Sequence, residues 1–381
     1  MLSKFTIENF SSINEKQVLD LNVDPEQADL HGWAVPATEE NSQHYPDIAT
    51  LAVLYGANGA GKSTILSALK SLSFIAYASQ TEVKADENFP NFSWFGQDKP
   101  TKMSVEFLRP NGHKVEYEIS FTNEAILFEK LEINNEEIFK REEKNQIVSE
   151  QLESLPFRNL RRNASLLSFA ASYGHLEDIH SLFNFALCYF DGSKPNAVQE
   201  KDIPKLKQAF KLISDLDLGI SDISFQEIPG KEEKHALFAH HRLPTGEVKK
   251  LLWHSESDGT AHLLSVMFML QNILNKGGIL LADEIEEKLH PLAVFRLLEL
   301  FNDPETNPHK AQLICTSHLP DIMDEVGEYN IFLTEKRHQA TRLWRLDDDK
   351  HLDESQSFRA AYLQKIYGGV PRIGRPADQA N

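Results

Sequence analysis

The sequence predicts an α/β fold: a mixed central sheet with an antiparallel β-lobe and a helical insertion. Three observations lead there. Leu51–Leu66 passes from an apolar run through a glycine loop into a helical pattern. From Thr101, three runs alternate with period two, MSVEFLRP, HKVEYEISF and AILFEKLEI, separated by turn residues at Asn111–Gly112 and ending at Asn134–Asn135. Leu166–Phe190 and Ile203–Leu216 then show helical spacing, with charge on their polar faces.

Length and composition set the bounds. A chain of 381 residues is long for one core and suggests about two or three lobes. The expected division is 1–140 and 236–345 for the two parts of one head, 141–235 for a mainly helical insertion, and 346–381 for a tail. A formal charge of −18 argues against a wholesale nucleic-acid coat, since phosphate neutralisation needs basic surface; a local basic groove stays open. Cys188 and Cys315 lie in apolar runs and read as core residues, not a disulfide. The N-terminus lacks a signal peptide's apolar centre, and the longest apolar run, Leu263–Leu274, is short and broken by Gln271. A soluble cytoplasmic protein with no membrane segment is expected.

In order, KFTIENFSSI reads as a half-buried strand that Val18–Val23 can pair with, and Asp24–Asp47 as a loop or edge excursion. The helix after the glycine loop fades near Gln80, and Glu82–Pro100 looks irregular. Arg158, Arg161 and Arg162 read as a solvated helix start in preference to a phosphate-contact patch. Ala236–Leu252 returns to strands around a Pro244–Thr245–Gly246 turn.

The loop Gly56–Ala57–Asn58–Gly59–Ala60–Gly61, followed by Lys62, Ser63 and Thr64, is GxxxxGK[ST] between a strand and a helix. Its glycines let backbone N–H groups face a β-phosphate, and the helix start adds free amides and a positive dipole end. Lys62 reaches the β/γ oxygens, and the Ser63 hydroxyl is suited to ligate Mg²⁺. The plain alternative is a turn that binds nothing. The intact octapeptide in its strand–helix context points instead to a nucleoside triphosphate.

Downstream, Gly278–Glu284 is an apolar strand ending in two carboxylates, expected to lie beside the phosphate loop. Asp283 would hold Mg²⁺ directly or through water, and Glu284 is the natural general base for an attacking water. Ala311–Thr316 is another strand, ending in Ser317–His318; the histidine can bond a γ-phosphate, or sit at a strand end with no role. Ser257 reads as the N-cap of Ala261–Leu274. With Gly259 it also offers a second anion site at a helix start, best used on a nucleotide held by another protomer.

Taken together and in this order, these elements resemble the ABC-type P-loop ATPase heads of the SMC and recombination-repair group. SESDGT stands at their signature, LLADE at Walker B and TSH at the switch histidine. Small bacterial AAA family ATPases of the abortive-infection and phage-defence type are closer still, through GANGAGKS, DEIE…LHP and the tail YLQKIYGGVP. The resemblance implies ATP and Mg²⁺ as cofactors, with Lys62, Glu284 and His318 as catalytic residues. It also implies a homodimer or higher oligomer through composite ATP sites, and a hydrolysing switch that controls a separate effector, often a nuclease. Alternatives are an ABC-transporter ATPase subunit, an ATPase–nuclease of the overcoming-lysogenisation-defect type using Asp347–Asp349, and a binding-only scaffold. Asp258 departs from the transporters' glycine, no coiled-coil heptads interrupt the head, and the Q-loop residue is left between Gln80 and Gln97.

Overall fold

Every position of Leu51–Gly56 is buried, and alternate side chains enter different cores. Ala52 and Leu54 join one cluster; Leu51, Val53 and Tyr55 join the other. The run therefore reads as continuously apolar, because a strand covered on both faces has no polar side to show. Neighbouring strands divide the same way, with Ile314 on one side and Leu313 and Cys315 on the other. The computed structural model describes residues 1–26, 28, 32–36, 38, 46–142, 145–188, 197–213, 219–353 and 356–371.

In spatial order the central sheet runs Ala186–Cys188, Ile279–Ala282, Gln312–Thr316, Leu51–Gly56, Ile331–Arg337 and Ala340–Arg345. The first five strands are parallel and the last is antiparallel, giving the mixed sheet expected. The phosphate-loop helix, Lys62–Glu82, lies on one face together with Val105, Tyr117 and Ile119 of the β-lobe. Asp258–Leu274 and Pro291–Asn302 cover the other face.

The antiparallel lobe contains Thr101–Leu108, Lys114–Phe121 and Ile126–Ile133, extended by Glu136–Glu142, Asn145–Val148, Leu2–Glu8 and Gln17–Asp20 into seven strands. Asn134 and Asn135, at φ 52° and 65°, make the two-residue turn between Ile133 and Glu136, as a primed hairpin turn requires. Lys4 opposite Asp20 and Ile7 opposite Gln17 realise the first half of the expected pairing, while Asn22–Val23 pairs instead with Asp47–Ala49 in a separate sheet.

The stretch 141–235 contains helices but also strands. Leu166–Phe190 is not one helical run: Leu166–Ala171 stops before Gly174 and Leu176, both at positive φ, and Ala186–Cys188 joins the central sheet. Periodicity alone cannot tell a short buried strand from a helix segment. Ile203–Ile213 is helical, while 214–218 and Phe190 lie outside the described residues. Much of Asp24–Asp47 also lies outside them; its described part includes the short strand Ala34–Pro36.

Arg161 is not a solvated helix start. Its guanidinium donates to Ser79 O and Gln80 O and so caps the end of the phosphate-loop helix. Gln80 sits 18 residues beyond Lys62 on that helix, about 27 Å along the axis at 1.5 Å per residue, which removes it from any phosphate. Cys315 is a free, buried thiol; the side chain of Cys188 lies outside the description. Asp347 is not a free metal ligand, because Arg345 grips both of its oxygens at 2.6 and 2.7 Å.

Candidate functional site

Three loops meet beyond the carboxyl ends of the parallel strands. The phosphate loop needs glycine at two places for steric reasons. A Cβ at Gly56 would land on Thr334, and one at Gly61, where φ is 110°, on the Thr341 side chain. Lys62 is only 6% exposed, and its ammonium donates to Gly56 O at 2.9 Å. Burial pushes its pKa down, while Glu284, Asp283 and Glu286 act in the opposite direction.

Ser63 Oγ donates to Asp283 Oδ1 at 3.0 Å. These are the hydroxyl and carboxylate that the sequence assigned to a metal. The carboxylate strand comes beside the phosphate loop without adjoining the phosphate-loop strand. Gln312–Thr316 stands between them, pairing Ile279 with Gln312 and Leu51 with Leu313. Asp283 reaches Ser63 over the end of that strand, where Thr316 bridges the gap.

Thr316 is the residue that sequence reasoning missed. It is fully buried, its hydroxyl donates to Asp283 Oδ1 at 2.6 Å, and it accepts from the Glu284 N–H at 2.7 Å. Ile285 N–H bonds the Thr316 carbonyl at 3.1 Å. These bonds hold Glu284 in the left-handed region at φ 50°, a conformation costing a non-glycine residue about 1–3 kcal/mol. Replacing Thr316 by Val keeps the shape but leaves the Glu284 amide without its acceptor and Asp283 with only the Ser63 hydroxyl of its two donors. The expected loss is about 1–3 kcal/mol of unfolding free energy, measured by denaturant titration, with Thr316→Ser losing less.

His318 Nε2 lies 4.0 Å from Glu284 Oε1, so the expected histidine and carboxylate do come together at the strand ends. The backbone N–H of His318 is held by Glu286 Oε1, a third carboxylate that sequence reasoning left without a role. Its signal was the acidic residue two positions beyond Glu284.

Ser257 behaves as the N-cap: its Oγ accepts from Thr260 N–H at 3.1 Å. Gly259 is pressed against the turn after Glu284, and a Cβ there would stand 2.9 Å from Lys288 O. Among the described hydrogen bonds none joins Ser257 or Gly259 to the phosphate loop of the same chain. Tail residues Gly369–Pro371, by contrast, lie beside that loop. A cleft of about 630 Å³ is lined by Ala57–Ala60, Thr334–His338 and Gly369–Pro371, and Tyr362 packs its ring 5.9 Å from that of Tyr55.

A family model described as "AAA domain, putative AbiEii toxin, Type IV TA system" matches residues 51–324, from the phosphate-loop strand to just beyond His318. The chain belongs to this AbiEii-type AAA family. It has the mixed α/β fold of a P-loop AAA domain. Among solved structures, the SMC head domain from Thermotoga maritima is 12% identical with a TM-score of 0.44, over 90% of this chain and 98% of that one. An Smc head from Pyrococcus furiosus, bound to the C-terminal domain of ScpA, is 14% identical at 0.46, over 96% and 99%. One from Pyrococcus yayanosii is 11% identical at 0.48, over 96% and 99%. No curated protein matches the chain. No helix among the described residues is long and apolar enough to cross a membrane.

Proposed function

We propose that this AbiEii-type AAA protein is a Mg²⁺-dependent ATP hydrolase acting as a molecular switch. The observation that carries the proposal is the Ser63–Asp283 hydrogen bond beside buried Lys62. It brings a hydroxyl and a carboxylate, both hard oxygen donors, to the first turn of the phosphate-loop helix. That set suits Mg²⁺, which takes one or two carboxylates and completes its octahedron with water and phosphate oxygens. Bound there, Mg²⁺ would neutralise charge on the β- and γ-phosphates.

In this assignment Gly56–Thr64 cradles the phosphates, and Lys62 exchanges its bonds to the loop carbonyls for phosphate oxygens. Glu284 takes a proton from the attacking water, and Thr316 fixes the backbone from which Glu284 projects. His318 senses the γ-phosphate. Ser257 and Gly259 serve the nucleotide of a second copy, so the chain acts as a homodimer or higher oligomer. The resemblance of GANGAGKS, DEIE…LHP and YLQKIYGGVP to small bacterial phage-defence ATPases supports a further proposal: a cytoplasmic regulatory ATPase of an antiphage defence system, controlling a separate effector. Residues 1–140 and 236–345 would form the head, 141–235 the insertion and 346–381 the tail.

The test is ATP turnover by purified protein with and without Mg²⁺. Hydrolysis is expected only with the metal. Asp283→Asn should raise the Mg²⁺ concentration needed for half-maximal rate by at least about tenfold, the lower range for loss of a metal-site partner. An unchanged Mg²⁺ requirement in Asp283→Asn would remove this residue from the metal site.

A further inference from the structure

We propose that Trp94 and Phe95 form a stacking platform for the nucleotide's base, a site at the opposite end of the nucleotide from the carboxylates; this rests on the ATP assignment above. That assignment fixes the direction of the phosphate chain. Its γ end lies by Asp283, Glu284 and His318, so its nucleoside end leaves the first helix turn on the side away from them. There a row of hydroxyls begins. Thr64 Oγ1 is 3.1 Å from Ser12 Oγ, which is 2.7 Å from Thr341 Oγ1, and Thr341 in turn donates to Ala60 O at 3.0 Å.

The same row is tied to residues 92–95. Ser11 N–H bonds Phe92 O, and Phe92 stacks on Phe10 with ring centroids 5.0 Å apart. Trp94 donates its backbone N–H to Asn9 Oδ1 at 3.0 Å and its indole N–H to Gln339 O at 3.3 Å, two residues before Thr341. Trp94 is thus anchored to both turns that flank the start of the phosphate-loop helix.

Phe95 is presented from that anchor. It is 72% exposed, the highest value among the exposed large hydrophobic side chains of the described residues. Its backbone sits in the left-handed region at φ 49°, a strained choice for a phenylalanine. Its ring meets Trp94 edge-on, centroids 4.9 Å apart at 75°. An aromatic ring held in water by a strained backbone has a hydration cost that the edge-on contact with Trp94 offsets only in part. A purine face laid on the ring supplies further contact, and every base has a π-face to offer.

Because Phe95 is exposed, Phe95→Ala should fold, which near-unchanged thermal unfolding would verify. ATP and inorganic tripolyphosphate are the probes, each titrated with Mg²⁺ present by calorimetry. Phe95→Ala should weaken ATP roughly 5- to 100-fold, the range base–aromatic stacking spans on alanine substitution, and leave tripolyphosphate within twofold of wild type. Phe95→Trp should restore ATP affinity. An ATP affinity unchanged in Phe95→Ala overturns the platform, as does an equal loss for both probes, which would place the effect on the phosphate loop. Failure of the wild-type protein to bind either probe would overturn the ATP assignment itself, and with it this one.

Discussion

Glu284→Gln is expected to bind ATP as the wild type does and to turn it over about 10²–10⁴-fold more slowly, the usual contribution of a positioned general base. The amide keeps the shape and polar surface of the side chain but cannot accept the proton. The geometry sets a control. Glu284 contributes its backbone N–H to Thr316, not its carboxylate, so the substitution leaves that bond intact. Its side chain is 56% exposed, so little packing is disturbed. Lys62→Ala should differ in kind by weakening binding itself, because Lys62 is buried against the loop carbonyls. Turnover by single-cycle kinetics and affinity by calorimetry separate the two. A Glu284→Gln protein that hydrolyses at the wild-type rate would remove the base assignment.

The features most legible in the sequence were those fixed by local chemistry. GANGAGKST announced its strand, loop and helix because steric room at Gly56 and Gly61 is filled by Thr334 and Thr341, leaving no space for a side chain. The β-lobe was legible because a half-buried strand alternates and Asn134–Asn135 can adopt positive φ. What escaped was set by the order in which strands assemble. No local signal in Gln312–Thr316 says that it inserts between the two strands of the site, and Thr316 acquires its two partners only through that insertion. Ala186–Cys188 escaped for a related reason: three apolar residues have no measurable period, and only the open edge beside Ile279–Ala282 makes them a strand. Arg161 looked like surface because its acceptors, the carbonyls at the end of a helix, carry no side-chain signature.

Mixing a Lys62→Ala chain with a Ser257→Arg chain is expected to restore ATPase activity that neither has alone. In the proposed dimer each site takes its phosphate loop from one copy and Ser257 and Gly259 from the other. Both homodimers then carry two broken sites. In the mixed dimer one site collects both lesions while the other is intact, so activity should approach half that of the wild type per mixed dimer if the sites act independently. The structure sharpens the competing explanation. Ser257 already caps its own helix, and Gly259 already makes room for Lys288 O, so both residues have intrachain reasons to be what they are. A lost cap costs about 1 kcal/mol, and that defect stays within the chain that carries it. A purely structural role therefore predicts that Ser257→Arg retains substantial activity as a homodimer, an outcome that would remove Ser257 from the site. Subunit exchange is to be verified with differently tagged chains before rates are compared. Verified mixed dimers with no activity would count against independent composite sites, and substituting Ser257→Ala, which removes the hydroxyl without adding bulk, then separates a blocked interface from a lost contact: activity in that homodimer assigns the failure to the arginine's size.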